Sequence, residues 1–211
     1  DPYPEATDQP PNFRQSNIRG NLGLWNGVDY SEFTTAHKKK IRAHYAGLVK
    51  QIDDKVGDIL SALEETGLQD NTVIIFSSDH GDYLGDHGLI GKGTFYESSI
   101  KVPLIVYLPW ADGSTVCSSP VSIEDITATL LHFAGCEIPT HLNSIPLPGL
   151  GIQTDRIRDR VYGFLASGCM NYDGEWKLAK YASGDVMLFN VTEDPAEQIN
   201  RIDHSDCQES K

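Results

Sequence analysis

The longest periodic segment is the clearest feature of the chain. Ile41, Tyr45, Leu48, Ile52, Val56, Ile59 and Leu63 recur every three or four positions. That spacing predicts one apolar face of a helix of about 30 residues. Lys38 to Lys40, Lys50, Asp53, Asp54, Glu64 and Glu65 fall mostly off that face, and Gly67 stands where a left-handed cap is wanted. Asp70-Asn71 then turns the chain into Thr72-Val73-Ile74-Ile75-Phe76-Ser77, a short, β-branched, continuously apolar run. Such a run suits a central strand covered on both faces. Val102 to Leu108 reads as a second strand of this kind, and Ser122 to Ala134 as a second helix carrying Ile123, Ile126, Leu130, Leu131 and Phe133. Helices flanking buried strands imply an α/β sandwich.

The two ends read differently. Residues 1 to about 33 are rich in Pro, Gly and Asn and are expected to be irregular. In the tail, Arg160 to Leu165, Trp176 to Tyr181 and Val186 to Asn190 are short strand candidates separated by Gly, Ser and Asp. They predict a small antiparallel subdomain. Val191 to Pro195 then opens a last turn or short helix.

Charge narrows the partners. The 211 residues carry 17 basic and 30 acidic side chains, a net charge of −13. A nucleic-acid partner favours a basic face, so none is expected. The acidic excess reads as a solvated surface and leaves room for a local cluster of cations around an anionic substrate. No apolar run reaches the length of a membrane span, so no membrane partner is expected. Cys117, Cys136, Cys169 and Cys207 fit neither a CxxC metal site nor a dense disulfide framework, leaving one or two disulfides or free buried thiols as alternatives. The chain opens without Met or a basic-then-apolar leader, so it reads as entered through a loop, with targeting information expected upstream. An exported location is thus left open.

The candidate chemistry follows the first strand directly, in Ser78-Asp79-His80-Gly81-Asp82-Tyr83-Leu84-Gly85-Asp86-His87-Gly88. In open α/β sheets, ligands bind beyond the carboxyl ends of strands. A carboxylate and an imidazole side by side, Asp79 and His80, make a plausible pair of metal ligands there, although a turn His often has no such role. Two ligands are too few for one ion, so others must come from elsewhere. In Gly91-Lys92-Gly93-Thr94-Phe95-Tyr96-Glu97, a Lys between two glycines can approach an anion closely. The alternative is an exposed turn lysine. It is not a Walker A loop, whose spacing is absent.

The run from Asn71 to Pro109, NTVIIFSSDHGDYLGDHGLIGKGTFYESSIKVPLIVYLP, closely resembles the sulfatase family of the alkaline phosphatase superfamily. The order carries the resemblance: strand, Ser-Asp-His-Gly, a second Gly-Asp-His-Gly, Gly-Lys-Gly-Thr-Phe-Tyr-Glu, then Val-Pro-Leu-Ile-Val. Arg42 to Tyr45 with Asp53 to Gly57, Val121 to Gly135, Trp176 to Leu178, and Leu188 to Asn190 through Asp194 to Glu197 resemble the family's flanking elements. The resemblance implies an alkaline phosphatase-like α/β sandwich, present in part, with residues 1–150 in the core and 151–211 in a small C-terminal subdomain.

It also implies roles. Asp79 and His80 would bind the active-site divalent cation, Ca2+ in most sulfatases. Many members carry Asn where His80 stands, and imidazole suits Mn2+ or Zn2+ better than a hard cation; Mg2+ is a further alternative. Lys92 would contact sulfate oxygens and offset charge developing in the transition state. His87 is a candidate helper or a structural residue, and Thr94 and Glu97 would shape the loop. The substrate would be a sulfated small molecule or glycan.

The family nucleophile is a formylglycine made from Cys or Ser in a motif reading Cys/Ser-x-Pro-x-Arg. Cys117-Ser118-Ser119-Pro120 and Cys136-Glu137-Ile138-Pro139 both place Pro one position late. The nucleophile and the family's early paired Asp ligands are therefore expected in an upstream half. This chain is expected to hold part of an active site and to have no turnover alone. A phosphonate monoester or phosphodiester hydrolase on the same scaffold, and a non-catalytic sulfatase-like module, are the alternatives.

Overall fold

The computed structural model describes residues 13–21 and 29–203. The opening Pro-rich stretch and Cys207 lie outside them. The described residues form two compact units, which divide between Gly113 and Ser114.

In the first unit, α1 (Phe13–Asn21) precedes the long helix α2 (Thr35–Glu65). The segment expected to be irregular thus contains a helix, anchored by Ile18, which is buried. Thr34 caps α2: its hydroxyl accepts the His37 N–H, and the His37 ring accepts the Thr34 N–H in return. This is a capping box with an imidazole in the usual place of a carboxylate. The helix ends as its sequence indicates. Gly67 adopts a φ of 65° while its N–H reaches Glu64 O and the Leu68 N–H reaches Leu63 O. Left-handed backbone of this kind is what Gly supplies without steric cost.

The strands β1 (Ile74–Ser77) and β2 (Leu104–Tyr107) form a two-stranded antiparallel ribbon, in register from Ile74 opposite Tyr107 to Ser77 opposite Leu104. Among the described residues neither is covered on both faces: Phe76, Ile105 and Tyr107 are exposed. The same is true of α2, which has no buried residue and exposes Leu48, Ile52 and Ile59. The periodic stripe is an apolar face without a cover among the described residues.

The core of this unit instead lies in the loop between the strands. Tyr83, Leu89, Phe95 and Tyr96 are buried there. The loop closes with the short helix α3 (Glu97–Ile100).

In the second unit, α4 (Asp125–Phe133) is followed by strands β3 (Val161–Leu165), β4 (Gly168–Tyr172), β5 (Trp176–Tyr181) and β6 (Val186–Asn190). They form an antiparallel meander in the order β3-β4-β5-β6. Three of these strands match their expected positions, and β4 is additional. The residues after β6 form turns rather than a helix. Asn190 Oδ1 accepts the Thr192 and Glu193 N–H groups, and Asp194 Oδ2 accepts those of Gln198 and Ile199. Lys177 of β5 and Glu197, in the turns after β6, form an ion pair of 2.6 Å sealed from solvent. Cys117, Cys136 and Cys169 are free and exposed, not the buried thiols that were one expectation. Among the described residues, no helix is long and apolar enough to cross a membrane.

Candidate active site

Asp79 and His80 follow β1 after a single residue, Ser78. Three local contacts orient them. Ser78 Oγ donates to His80 O at 3.0 Å, the His80 N–H donates to Asp79 Oδ1 at 3.0 Å, and His80 Nδ1 lies 2.8 Å from Gly81 O. A carbonyl oxygen only accepts, so Nδ1 carries the proton and Nε2 presents a lone pair. That lone pair lies 3.2 Å from Asp79 Oδ2. It is also in contact with Lys92 Nζ.

The three side chains singled out from the sequence therefore meet at one point, twelve residues of chain folding back to bring Lys92 to His80. Desolvation pushes the Asp79 carboxyl up. Hydrogen bonds from the His80 and Asp79 backbone N–H groups and the charge of Lys92 overcome it, leaving the carboxyl below the ordinary carboxylate range.

The fold-back is built from backbone contacts. Gly81 N–H donates to Ser99 O at 2.8 Å, and Tyr83 N–H donates to Gly91 O at 2.8 Å. At Gly81 a Cβ would stand 2.2 Å from Ser98 O, so no other residue fits without moving α3. Asp82 Oδ1 accepts the Leu84 and Gly91 N–H groups at 2.9 and 3.2 Å. From α2, Arg42 donates to Leu84 O at 2.9 Å and to Asp86 Oδ1 at 2.5 Å.

His87 and Thr94 sit behind this surface. The His87 ring is buried and stacked on Tyr96, with centroids 3.8 Å apart and planes 10° from parallel. Thr94, also buried, accepts the Tyr83 hydroxyl at 2.7 Å. Burial raises the Tyr83 pKa well above the ordinary tyrosine value. Glu97 begins α3 and pairs with Lys101 at 3.6 Å. Arg42, Asp82 and Ser99 were not singled out by sequence reasoning as parts of this site. Asp82 lies inside the quoted motif, but what it holds depends on the loop's path.

The donor set suits a metal ion in part. Two ligands at about 2.0–2.4 Å from one ion and at right angles stand roughly 3 Å apart, close to the separation of Asp79 Oδ2 and His80 Nε2. The Nδ1–H bond to a backbone carbonyl is the usual support of a metal-bound imidazole. Among the described residues, no group of three or more His, Cys, Asp or Glu forms a complete site. The pair would be a partial ligand set.

Comparison with known proteins identifies the family and the fold. The Sulfatase family model matches residues 1–136. Arylsulfatase K of Xenopus laevis is 31% identical over 186 residues, covering 80% of this chain and 35% of that protein. The solved structure of BT4656 in complex with its substrate D-glucosamine-2-N,6-O-disulfate is 25% identical with a TM-score of 0.65, covering 77% of this chain and 36% of that one. Phosphonate monoester hydrolase SpPMH of Silicibacter pomeroyi shares the fold, with a TM-score of 0.78 at 22% identity over 99% of this chain and 47% of that one. The architecture is accordingly the alkaline phosphatase-like α/β sandwich in part, with its small antiparallel sheet. The chain spans about a third of the length of the curated relatives it matches. On the match of its first 136 residues and the order of its motifs, this chain belongs to the sulfatase family.

Proposed function

We propose that the protein to which this chain belongs is a sulfuric ester hydrolase acting on a sulfated small molecule or glycan, and that Asp79, His80 and Lys92 are this chain's share of its active site. The observation that carries the reading is the meeting of Asp79 Oδ2, His80 Nε2 and Lys92 Nζ just beyond the end of β1. Asp79 and His80 bind a divalent cation through one oxygen and one nitrogen. When bound, that ion supplies Lewis acidity toward the ester and its nucleophile. Lys92 contacts the sulfate oxygens as a compact charge and stabilises the transition state more than the ground state. In this structure Lys92 meets the same His80 lone pair that the ion would take, so ion binding would release the ammonium toward the sulfate. His87 holds the loop from behind through its stack on Tyr96.

Calcium is the ion that the family reading names, and the imidazole nitrogen argues for Mn2+, with Mg2+ the third competitor. The nucleophile and remaining ligands come from outside this chain, so the 211 residues alone have no turnover. The test is hydrolysis of 4-nitrophenyl sulfate by the full-length protein and by its Lys92→Ala variant. Chelator-sensitive turnover in the former, reduced at least a hundredfold in the latter, is the expected outcome. Unchanged turnover in the variant contradicts the assignment.

A second reading is favoured by one observation, the likeness in fold to a phosphonate monoester hydrolase. Sulfate and phosphonate esters present similar tetrahedral anions to one lysine. A higher kcat/KM for a phenyl phosphonate than for 4-nitrophenyl sulfate selects that reading.

A further inference from the structure

We infer that Asp82 is a positioning residue that fixes the distance between the metal-binding pair and the sulfate-binding lysine. The inference rests on the proposed roles of Asp79, His80 and Lys92. Asp82 follows His80 by two residues, and its Oδ1 accepts the N–H of Gly91, the residue immediately before Lys92. The same oxygen accepts the Leu84 N–H, which holds the carboxylate in place as the chain turns. The neighbouring backbone repeats the grip in the opposite sense, with Tyr83 N–H donating to Gly91 O at 2.8 Å. Gly91 is thus held through both its N–H and its C=O by two consecutive residues of the arm that bears Asp79 and His80. The arm itself is docked on α3 through Gly81 N–H and Ser99 O.

These bonds leave Lys92 little freedom along the direction that separates it from His80. A charged acceptor receiving two backbone N–H groups is also stronger than a neutral one. Displacement of a reacting group by about 1 Å can cost on the order of a hundredfold in rate. Asp82 acts through Lys92 and His80, so its loss should appear in kcat more than in KM.

The test is steady-state kinetics of the full-length protein on 4-nitrophenyl sulfate, comparing wild type, Asp82→Asn, Asp82→Glu and Asp82→Ala, with Asp79→Ala as a reference. Asn keeps an acceptor oxygen at the same place and loses the charge. Glu keeps the charge and moves the acceptor by one methylene. The expected order is Asn within about threefold of wild type, and Glu and Ala reduced on the order of 10- to 100-fold in kcat with KM little changed. If Ala fails to fold, the Asn and Glu pair alone decides. Glu at wild-type kcat, or Asn as impaired as Glu, overturns the positioning role while an inactive Asp79→Ala leaves the site reading standing. Asp79→Ala at wild-type turnover overturns the site reading and this inference with it.

Discussion

Arg158 and Asp125 meet in a two-pronged ion pair, with Nε to Oδ2 at 2.7 Å and Nη2 to Oδ1 at 2.5 Å, and with Asp125 almost fully buried at the start of α4. The Asp125 carboxylate also accepts the N–H of Ser122 and of Ile145. It therefore ties the helix, the segment after it and the approach to β3 into one piece. Its hydrogen bonds, followed by burial as an opposing effect and then the charges of Asp125 and Glu124, hold the Arg158 pKa above its already high value. A raised folded pKa of this kind adds stability wherever the unfolded guanidinium is also charged, so the contribution is constant across the neutral range. Removing one partner of such a pair costs about 3–5 kcal/mol. Asp125→Ala should lower stability by that order in urea unfolding, and an unchanged midpoint would contradict the account.

The Lys177–Glu197 pair allows a sharper test, because both side chains are sealed. Either single change, Lys177→Met or Glu197→Leu, strands a buried charge and should destabilise by about 3–5 kcal/mol. The double variant removes both charges and should recover most of that loss. Additive losses in a double-mutant cycle would show that the two groups do not interact.

Tyr83 gives the chain an alkaline limit. Its phenol is buried against Thr94, and its folded pKa lies above the ordinary value of 10.0. The folded state holds the proton more tightly, so the stabilising contribution is full below about pH 10 and declines as pH rises above it. Tyr83→Phe should lose about 0.5–1.5 kcal/mol at neutral pH with the hydroxyl's bond, and its stability should then fall less steeply in alkali than wild type. Parallel stability–pH curves would rule this out.

Helix α2 was legible to its end, from the spacing of Ile41 to Leu63 and the stop at Gly67. What the periodicity did not carry is what covers the stripe. Apolar spacing predicts a buried face, yet Leu48, Ile52 and Ile59 are exposed. The same holds for β1 and β2, whose continuous apolar runs read as covered on both faces while Phe76, Ile105 and Tyr107 are open. Strand β4 was missed because Gly168, Cys169 and Asn171 carry little strand preference. It forms through its pairing with β3 and β5, and tertiary context decides such cases. Helix α1 was missed for a related reason, since Phe13–Asn21 is mostly polar and holds only two large apolar residues. Asp79, His80 and Lys92 were proposed from motif order, and the structure brings them together. Asp82 was not proposed, because accepting a backbone N–H nine residues away leaves no pattern in sequence.

The uncovered stripe has a consequence in solution. An apolar face of this length associates readily with others like it. The 211-residue chain should sediment as concentration-dependent oligomers, and Leu48→Glu with Ile52→Lys should shift it toward monomer. A monomer at all concentrations would contradict the exposure of that face.

The most direct test of the central claim, that Asp79, His80 and Lys92 form one ion- and sulfate-binding centre, is calorimetric titration of the full-length protein with Ca2+ and Mn2+, followed by inorganic sulfate. The expected result is saturable binding of one of these ions in wild type, its loss in Asp79→Ala, and in Lys92→Ala retained ion binding with sulfate affinity lowered at least tenfold. Ion binding as tight in Asp79→Ala as in wild type would contradict it.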